Sequence, residues 1–186
     1  MSKVQIISII DMSGSMGMLQ TEVIGAFNTF IEEQKKLKGK AEVTLVLFDE
    51  RYIIPEGFNK VKLKNTPLLT PDIYKPTGMT ALYDAVGNTI NNFNEYKDVV
   101  MLIQTDGEEN SSKEFKQPEV KALINKKEAE GWDMTFLGAN IDAVSVGASI
   151  GLRAAKSVQY SFDTNGINEA FATMACSTAE YRESKL

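Results

Sequence analysis

The sequence predicts a doubly wound α/β domain with a mostly parallel central sheet, flanking helices and one antiparallel edge strand. Three observations carry this. Short apolar runs rich in β-branched residues alternate with stretches of helical periodicity along the chain. The runs are apolar nearly throughout, as strands buried on both faces are. Polar clusters directly follow two of them, at Asp11 and Asp106, and ligands of open parallel sheets bind beyond such strand ends. With 186 residues the chain is most economically one domain, 1–186, large enough to bury a proper core.

Val4 to Ile10 reads as the first strand, ending at Asp11. From there Leu19, Val23, Phe27, Phe30 and Ile31 fall at helical spacing. Lys35, Lys36 and Lys38 crowd the last turns and Gly39 closes the helix, as the macrodipole and C-cap preferences expect. Val43 to Phe48 is a second strand, and Asp49-Glu50 a tight turn into Arg51 to Ile54, a hairpin partner stopped by Pro55. Residues 55–78 are the least decipherable. Val61 and Leu63 alternate with lysines as a short edge strand would, while Pro67, Pro71 and Pro76 oppose regular structure. A stretch this long is either functional or hides an element.

Thr80 sits where an N-cap belongs, ahead of Leu82, Val86, Ile90 and Phe93 on the buried face of a second helix. Asp98 to Gln104 is another buried strand. Pro118 opens a helix carrying Val120, Leu123 and Ile124, closed by Gly131. Met134 to Leu137 is a strand, Ala143 to Ile150 a short helix or turn, and Val158 to Phe162 a last strand. Ile167, Phe171, Met174, Thr178 and Tyr181 mark the final helix, with Cys176 expected in the core.

Composition narrows the chemistry. The 43% hydrophobic and 24% charged fractions are those of an ordinary soluble chain. A net charge of −5 offers no footprint for nucleic acid. The lysine-rich pieces, Lys35 to Lys40 and Lys60 to Lys64, read as solvated faces. Cys176 is the single cysteine, so no intramolecular disulfide forms, and a reducing, cytoplasmic setting is expected. There is no histidine. The usual zinc sites and the Ser-His-Asp or Cys-His nucleophile systems cannot then be built, and any metal must be held by oxygen. Val4 to Ile10 is short and broken by Gln5 and Ser8, which suits a strand and not a signal peptide. No apolar stretch approaches the length that spans a bilayer, so no membrane partner is expected.

Asp11-Met12-Ser13-Gly14-Ser15 places one carboxylate and two hydroxyls at alternate positions, with Gly14 expected to let the backbone turn sharply. Hard oxygens converging on a point suit a hard cation such as Mg²⁺ or Ca²⁺; the plainer reading is a polar turn. Thr80 and Asp106 lie at the same end of the sheet. Together Asp11, Ser13, Ser15, Thr80 and Asp106 offer two carboxylates and three hydroxyls. Neutral hydroxyls leave an ion with net positive character, ready for one more anionic oxygen. Helix starts after Ser15 and at Thr80 would turn backbone N–H groups toward the same spot. Such a site suits capture of a carboxylate better than activation of a water.

Asp11-Met12-Ser13-Gly14-Ser15, Thr77-Gly78-Met79-Thr80-Ala81-Leu82 and Thr105-Asp106-Gly107 occur in the order and approximate spacing of the von Willebrand factor A (VWA) domain. The resemblance covers Val4 to about Tyr181, and the three segments match the loops of that family's metal-ion-dependent adhesion site (MIDAS). It implies a Rossmann-like VWA fold in which Ser13, Ser15 and Thr80 ligate a divalent cation directly, and Asp11 and Asp106 ligate directly or through water. Mg²⁺ is the first expectation, with Mn²⁺ or Ca²⁺ as alternatives. A partner protein's Asp or Glu would complete the shell, and the domain would not be an enzyme. The flanking disulfide of the best-known adhesion members is missing. An intracellular, prokaryotic or phage-type single-domain member is therefore expected, acting beside an AAA+ ATPase or in a stress-response system.

The alternative is a Mg²⁺-dependent phosphohydrolase on a similar sheet. Haloacid-dehalogenase-like enzymes want a second acid where Ser13 stands, and without histidine general catalysis would fall to carboxylates such as Glu108. A dinucleotide reading is weaker, since Gly14 and Gly17 do not make Gly-x-Gly-x-x-Gly. Of the neighbours, Glu108 and Glu109 read as solvated acids, and Tyr83 and Asp84 as packing or surface. Met12, Met16, Met18 and Met79 read either as an adaptable binding surface or as buried gap-fillers.

Overall fold

A computed structural model describes residues 3–186; Met1 and Ser2, the start of the expected domain 1–186, lie outside them. Seven strands form one sheet: β1 (Lys3–Asp11), β2 (Lys40–Phe48), β3 (Tyr52–Ile53), β4 (Val61–Lys62), β5 (Val99–Thr105), β6 (Asp133–Ala139) and β7 (Ser157–Tyr160). The helices are α1 (Gln20–Lys35), α2 (Leu82–Asn92), α3 (Gln117–Ala129), α4 (Ala143–Ser149) and α5 (Thr164–Glu183). The sheet order is β3-β2-β1-β5-β6-β7, with β4 also paired to β2. The pairs β1–β2, β1–β5, β5–β6 and β6–β7 are parallel. Among the described residues no helix is long and apolar enough to cross a membrane.

The continuous apolar runs have the cause inferred for them. Along β1, Val4, Ile6 and Ile10 join the core under α1 and α5, while Ile7 and Ile9 join the core under α2 and α3. Side chains alternate between faces and both faces are covered, so neither can be polar. Gln5 and Ser8 are the polar exceptions before Asp11: both are buried, and the Gln5 amide donates to Glu42 Oε2 at 3.1 Å. The chain leaves β1 for β2 on one side and later returns to β5 on the other. The order therefore reverses between β1 and β5, and the residues that end them straddle the opening.

The antiparallel edge is in two pieces, one beyond the other along β2. β3 pairs with Leu47 and Phe48, and β4 with Glu42 and Val43. Between them Pro55 and Gly57 (φ +83°) turn the chain away, so the predicted hairpin strand Arg51 to Ile54 shortens to Tyr52–Ile53. The gap is not left open: Leu45 N donates to the Phe58 carbonyl at 3.0 Å, and Lys60 N to Thr44 Oγ1 at 3.0 Å. The Phe58 ring packs on Phe27 of α1 with centroids 6.2 Å apart.

The ends of α1 and β7 differ from expectation. α1 stops at Lys35, and Gly39 (φ +93°) turns the chain into β2 instead of closing the helix. β7 stops at Tyr160, short of Phe162, because Asp163 caps α5 by accepting from Gly166 N at 2.8 Å. Cys176 is exposed, not in the core. Met174 and Thr178 are buried, and at about 100° per residue a side chain midway between them points to the opposite side of α5.

The start of α5 depends on a missing side chain. A Cβ on Gly166 would lie 2.1 Å from the Ser161 carbonyl oxygen, a backbone atom that cannot step aside. Gly166→Ala should destabilise the fold by about 2 kcal/mol or more through overpacking. A fall in the urea midpoint with an unchanged slope would register it.

Candidate metal centre

β1 and β5 run parallel with Ile10 opposite Gln104, so Asp11 and Thr105 come side by side where the strands end. Thr105 Oγ1 donates to Asp11 Oδ2 at 2.5 Å, and Ser13 N donates to Asp11 Oδ1 at 2.7 Å. The chain of contacts continues outward. Ser13 Oγ lies 3.3 Å from Ser15 Oγ, and Ser15 Oγ donates to Asp106 Oδ1 at 2.8 Å. Thr80 arrives from the other side: a Cβ on Gly107 would sit 3.6 Å from its Oγ1. Four of the five predicted residues thus form one bonded cluster, and the fifth faces the backbone next to Asp106. Asp11, Ser13, Thr80 and Asp106 are buried, while Ser15 lies at the exposed mouth.

The loop after Asp11 is held by the stretch that sequence left undeciphered. Tyr74, fully buried, donates its hydroxyl to the Asp11 carbonyl at 2.7 Å. Thr77 N donates to the Met12 carbonyl at 2.8 Å and Gly14 N to the Gly78 carbonyl at 3.1 Å, while Met12 N reaches the Phe48 carbonyl at 2.6 Å. Residues 70–78 are therefore a brace under the site. It is Gly78 (φ +73°) that needs glycine here. Gly14 does not have a positive φ, and a Cβ there would meet the Gly78 carbonyl at an ordinary 3.5 Å. The turn expected of it is instead a short 3₁₀ helix, Gly14–Leu19, leading into α1. Sequence reasoning missed Tyr74 altogether; an aromatic between prolines was its only signal. Thr105 was read only as part of the third motif, and its bond to Asp11 was not foreseen.

Thr80 does not cap α2. The helix begins at Leu82, with Ala81 at the N-cap position and no side-chain cap. Its first amides are taken by the loop after Asp106: Tyr83 N donates to Glu109 Oε2 at 2.9 Å and Asp84 N to Ser112 Oγ at 3.1 Å. The N–H groups expected to face an incoming anion at this helix are thus already engaged, and Glu109 is a half-buried acceptor, not a solvated acid. The methionines divide. Met12 and Met16 are buried fillers, whereas Met18 and Met79 are 83% and 50% exposed.

Both carboxylates are strained as anions. Burial pushes Asp11 up to about 6, against the hydrogen bonds from Thr105 and Ser13, and the charge of Asp106 adds to the rise. Burial likewise raises Asp106, against the bond from Ser15. Neither is paired with a Lys or Arg among the described residues. Buried charge without a partner is costly, and a cation would supply what is lacking. Among the described residues no three Asp, Glu or Cys side chains gather around one point, so the available donors are two carboxylates and neighbouring hydroxyls. That hard-oxygen set fits Mg²⁺, Mn²⁺ or Ca²⁺.

No family model matches the chain, and no curated protein matches it by sequence. Solved structures do match its fold. Proximal thread matrix protein 1 from the mussel byssus, in a structure with a zinc-occupied MIDAS motif, superposes with a TM-score of 0.71 at 16% identity over 96% of this chain. The chain spans under half, 46%, of that protein's length. The vWF domain of the type V pili tip protein Mfa5 from Porphyromonas gingivalis matches at 0.70 and 12% identity, covering 96% of each chain. BatB from Bacteroides thetaiotaomicron, a conserved hypothetical protein, matches at 0.65 and 14%, covering 97% of this chain and 99% of its own. The fold is VWA-like, as the motif order implied.

Asp11 gives the apo domain a readable pH dependence. Its carboxyl titrates near 6 when folded and near 3.9 when unfolded, so between those values the folded state binds more protons. Stability from this group is full below about pH 4 and lost as pH rises to about 6. Asp11→Asn removes that loss. Measured by urea unfolding in EDTA, the stability of the variant relative to the natural chain should increase by roughly 2–3 kcal/mol between pH 4 and pH 7. A difference that stays flat across this range would contradict the assignment.

Proposed function

We propose that this chain is a metal-dependent protein-binding module that captures a partner's carboxylate through a divalent cation. The observation that carries the reading is the pair of buried carboxylates, Asp11 and Asp106, joined through Ser13 and Ser15 with no Lys or Arg among the described residues to neutralise them. Ser13, Ser15 and Thr80 would hold the ion through hydroxyls, with Asp11 and Asp106 ligating directly or through water. Mg²⁺ is the ion proposed. When bound it would supply a Lewis-acidic centre with a coordination position for an anionic oxygen from outside. The exposed Met18 and Met79 would give the partner adaptable apolar contact beside it.

A mussel byssus protein of the same fold with zinc in its MIDAS motif supports divalent-cation binding at this position. A type V pili tip protein among the neighbours is consistent with a role in protein–protein contact. The partner is an exposed Asp or Glu on another protein. By resemblance, that protein belongs to an AAA+ ATPase or stress-response system in the cytoplasm. The phosphohydrolase alternative still wants an acid where Ser13 stands.

Calorimetric titration of Mg²⁺, Mn²⁺ and Ca²⁺ into the EDTA-stripped chain tests the reading. One ion should bind saturably, and Asp11→Ala or Thr80→Ala should weaken it at least tenfold while the far-UV spectrum is kept. A pull-down run with and without EDTA should then lose its acidic partner in the chelated arm. Partner binding that survives both EDTA and Asp11→Ala would overturn the proposal.

A further inference from the structure

Residues 107–116, between Asp106 and α3, have no regular structure, yet Glu109, Asn110 and residues 112–115 are bonded to α2 or to Thr80 just ahead of it. Thr80 N donates to Asn110 Oδ1 at 2.9 Å and Asn110 N to the Thr80 carbonyl at 3.0 Å. Glu109 is the centre of the dock. Its Oε2 accepts from Tyr83 N at 2.9 Å and from Ser112 Oγ at 2.6 Å, and its Oε1 accepts from Ser111 N at 2.9 Å and Ser112 N at 2.7 Å. At the far end Asp84 returns the contact, accepting from the amides of Lys113, Glu114 and Phe115 at 2.7–2.9 Å. The Phe115 ring lies so close over α2 that a Cβ on Gly87 would stand 2.5 Å from it.

The arrangement solves a local problem at a distance. The first turn of a helix has amides without intrahelical partners, and a preceding Ser, Thr, Asp or Asn normally supplies the acceptor. Here Ala81 stands at that position and has no acceptor to offer, so the work falls to Glu109, from another element. The carboxylate is well suited to it, since an anion is stabilised at a helix N-terminus and charge-assisted hydrogen bonds are the stronger kind. The consequence falls on the metal centre. Thr80 lies three residues before Tyr83, and Asp106 three residues before Glu109. One side chain thus spans the two elements that carry these oxygens.

We propose that Glu109 is a positioning residue of the metal centre: by clamping the start of α2 to the loop after Asp106, it fixes the Thr80 hydroxyl against the Asp106 carboxylate and sets ion affinity without touching the ion. This rests on the metal-binding reading given above. Outer partners that orient ligands typically change metal affinity by about 10–100-fold when removed, and Glu109 should fall in that range. Asp84 makes bonds of the same kind to residues 113–115, further along the loop from Asp106 than the residues Glu109 holds. It serves as the control for a purely structural effect.

The test is titration of Mn²⁺ and Mg²⁺ into chelator-stripped natural chain, Glu109→Ala, Glu109→Gln and Asp84→Asn, with melting temperatures recorded in EDTA and in saturating metal. Glu109→Ala should bind about 10–100-fold more weakly, with a smaller metal-induced rise in melting temperature. Glu109→Gln keeps one acceptor oxygen and should recover part of the affinity; it decides the matter if the alanine variant does not fold. Asp84→Asn should melt lower in EDTA and bind within about threefold of the natural chain, a shift well under the 10–100-fold range. Glu109 variants that fold and bind as tightly as the natural chain would overturn the inference and leave the metal reading standing. So would affinities that fall only in step with melting temperature, Asp84→Asn included. A natural chain that takes up neither ion would overturn the metal reading, and this inference with it.

Discussion

The structure depends on two carboxylates buried with no Lys or Arg paired to them among the described residues. Asp11 and Asp106 end adjacent parallel strands at the point where strand order reverses, and the fold brings them together whether or not their charges agree. What surrounds them reads as a response to that constraint. Thr105, the Ser13 amide and Ser15 each give one of the carboxylates a hydrogen bond. None brings a positive charge. Hydrogen bonds lower the cost of an isolated buried anion but do not remove it, which is why both groups still titrate above their ordinary values. A scaffold selected for stability alone could relieve the conflict with one lysine. Its absence is a reason to look for a cation from outside.

The supports lie in segments that look unremarkable in sequence. Beneath β1, the brace of residues 70–78 fixes the Asp11 backbone through Tyr74 and the Met12 loop through Thr77 and Gly78. Beside β5, the loop of residues 107–116 is bound to α2. Neither support is regular secondary structure, and both join elements distant along the chain. The sheet places the donors within a few ångströms of one another. These irregular pieces hold the loops that carry the donors, which on the proposed reading matters because a loosely held ligand set loses affinity to its own mobility.

That division explains what was legible in the sequence. β1, β2, β5 and β6 could be read because strands covered on both faces must be apolar, a property of each segment alone. The five candidate oxygens could be read because each sits in a short motif just beyond a strand or before a helix. Tyr74 and Glu109 could not, since their meaning is a bond to residues that no spacing rule connects to them. Thr80 misled for a related reason: a threonine before a helix is ordinarily a cap, and only the tertiary arrangement shows Glu109 in that role. The edge strand came out in two pieces because a proline and a left-handed glycine interrupt it. Cys176 is different. Its exposure follows from the spacing of Met174 and Thr178, so that error was in the reading and not in the sequence.

The capping of α2 also bears on how a ligand would be recognised. A bare helix N-terminus attracts any anion of suitable size, and the sequence made it reasonable to expect such help here. In the structure Glu109 already occupies that end of α2. It adds a negative charge to a region that holds Asp11 and Asp106, and lies next to the exposed Glu108. Without an ion, the acids at this end of the sheet repel an incoming carboxylate; on the proposed reading, a divalent cation among the hydroxyls offsets two of those charges and gives the carboxylate an atom to bind. The discrimination between apo and loaded states is then electrostatic, built from acids that do not touch the ion as much as from those that would. On the proposed reading, the same carboxylate that positions the ligands makes capture of an acidic partner conditional on the metal.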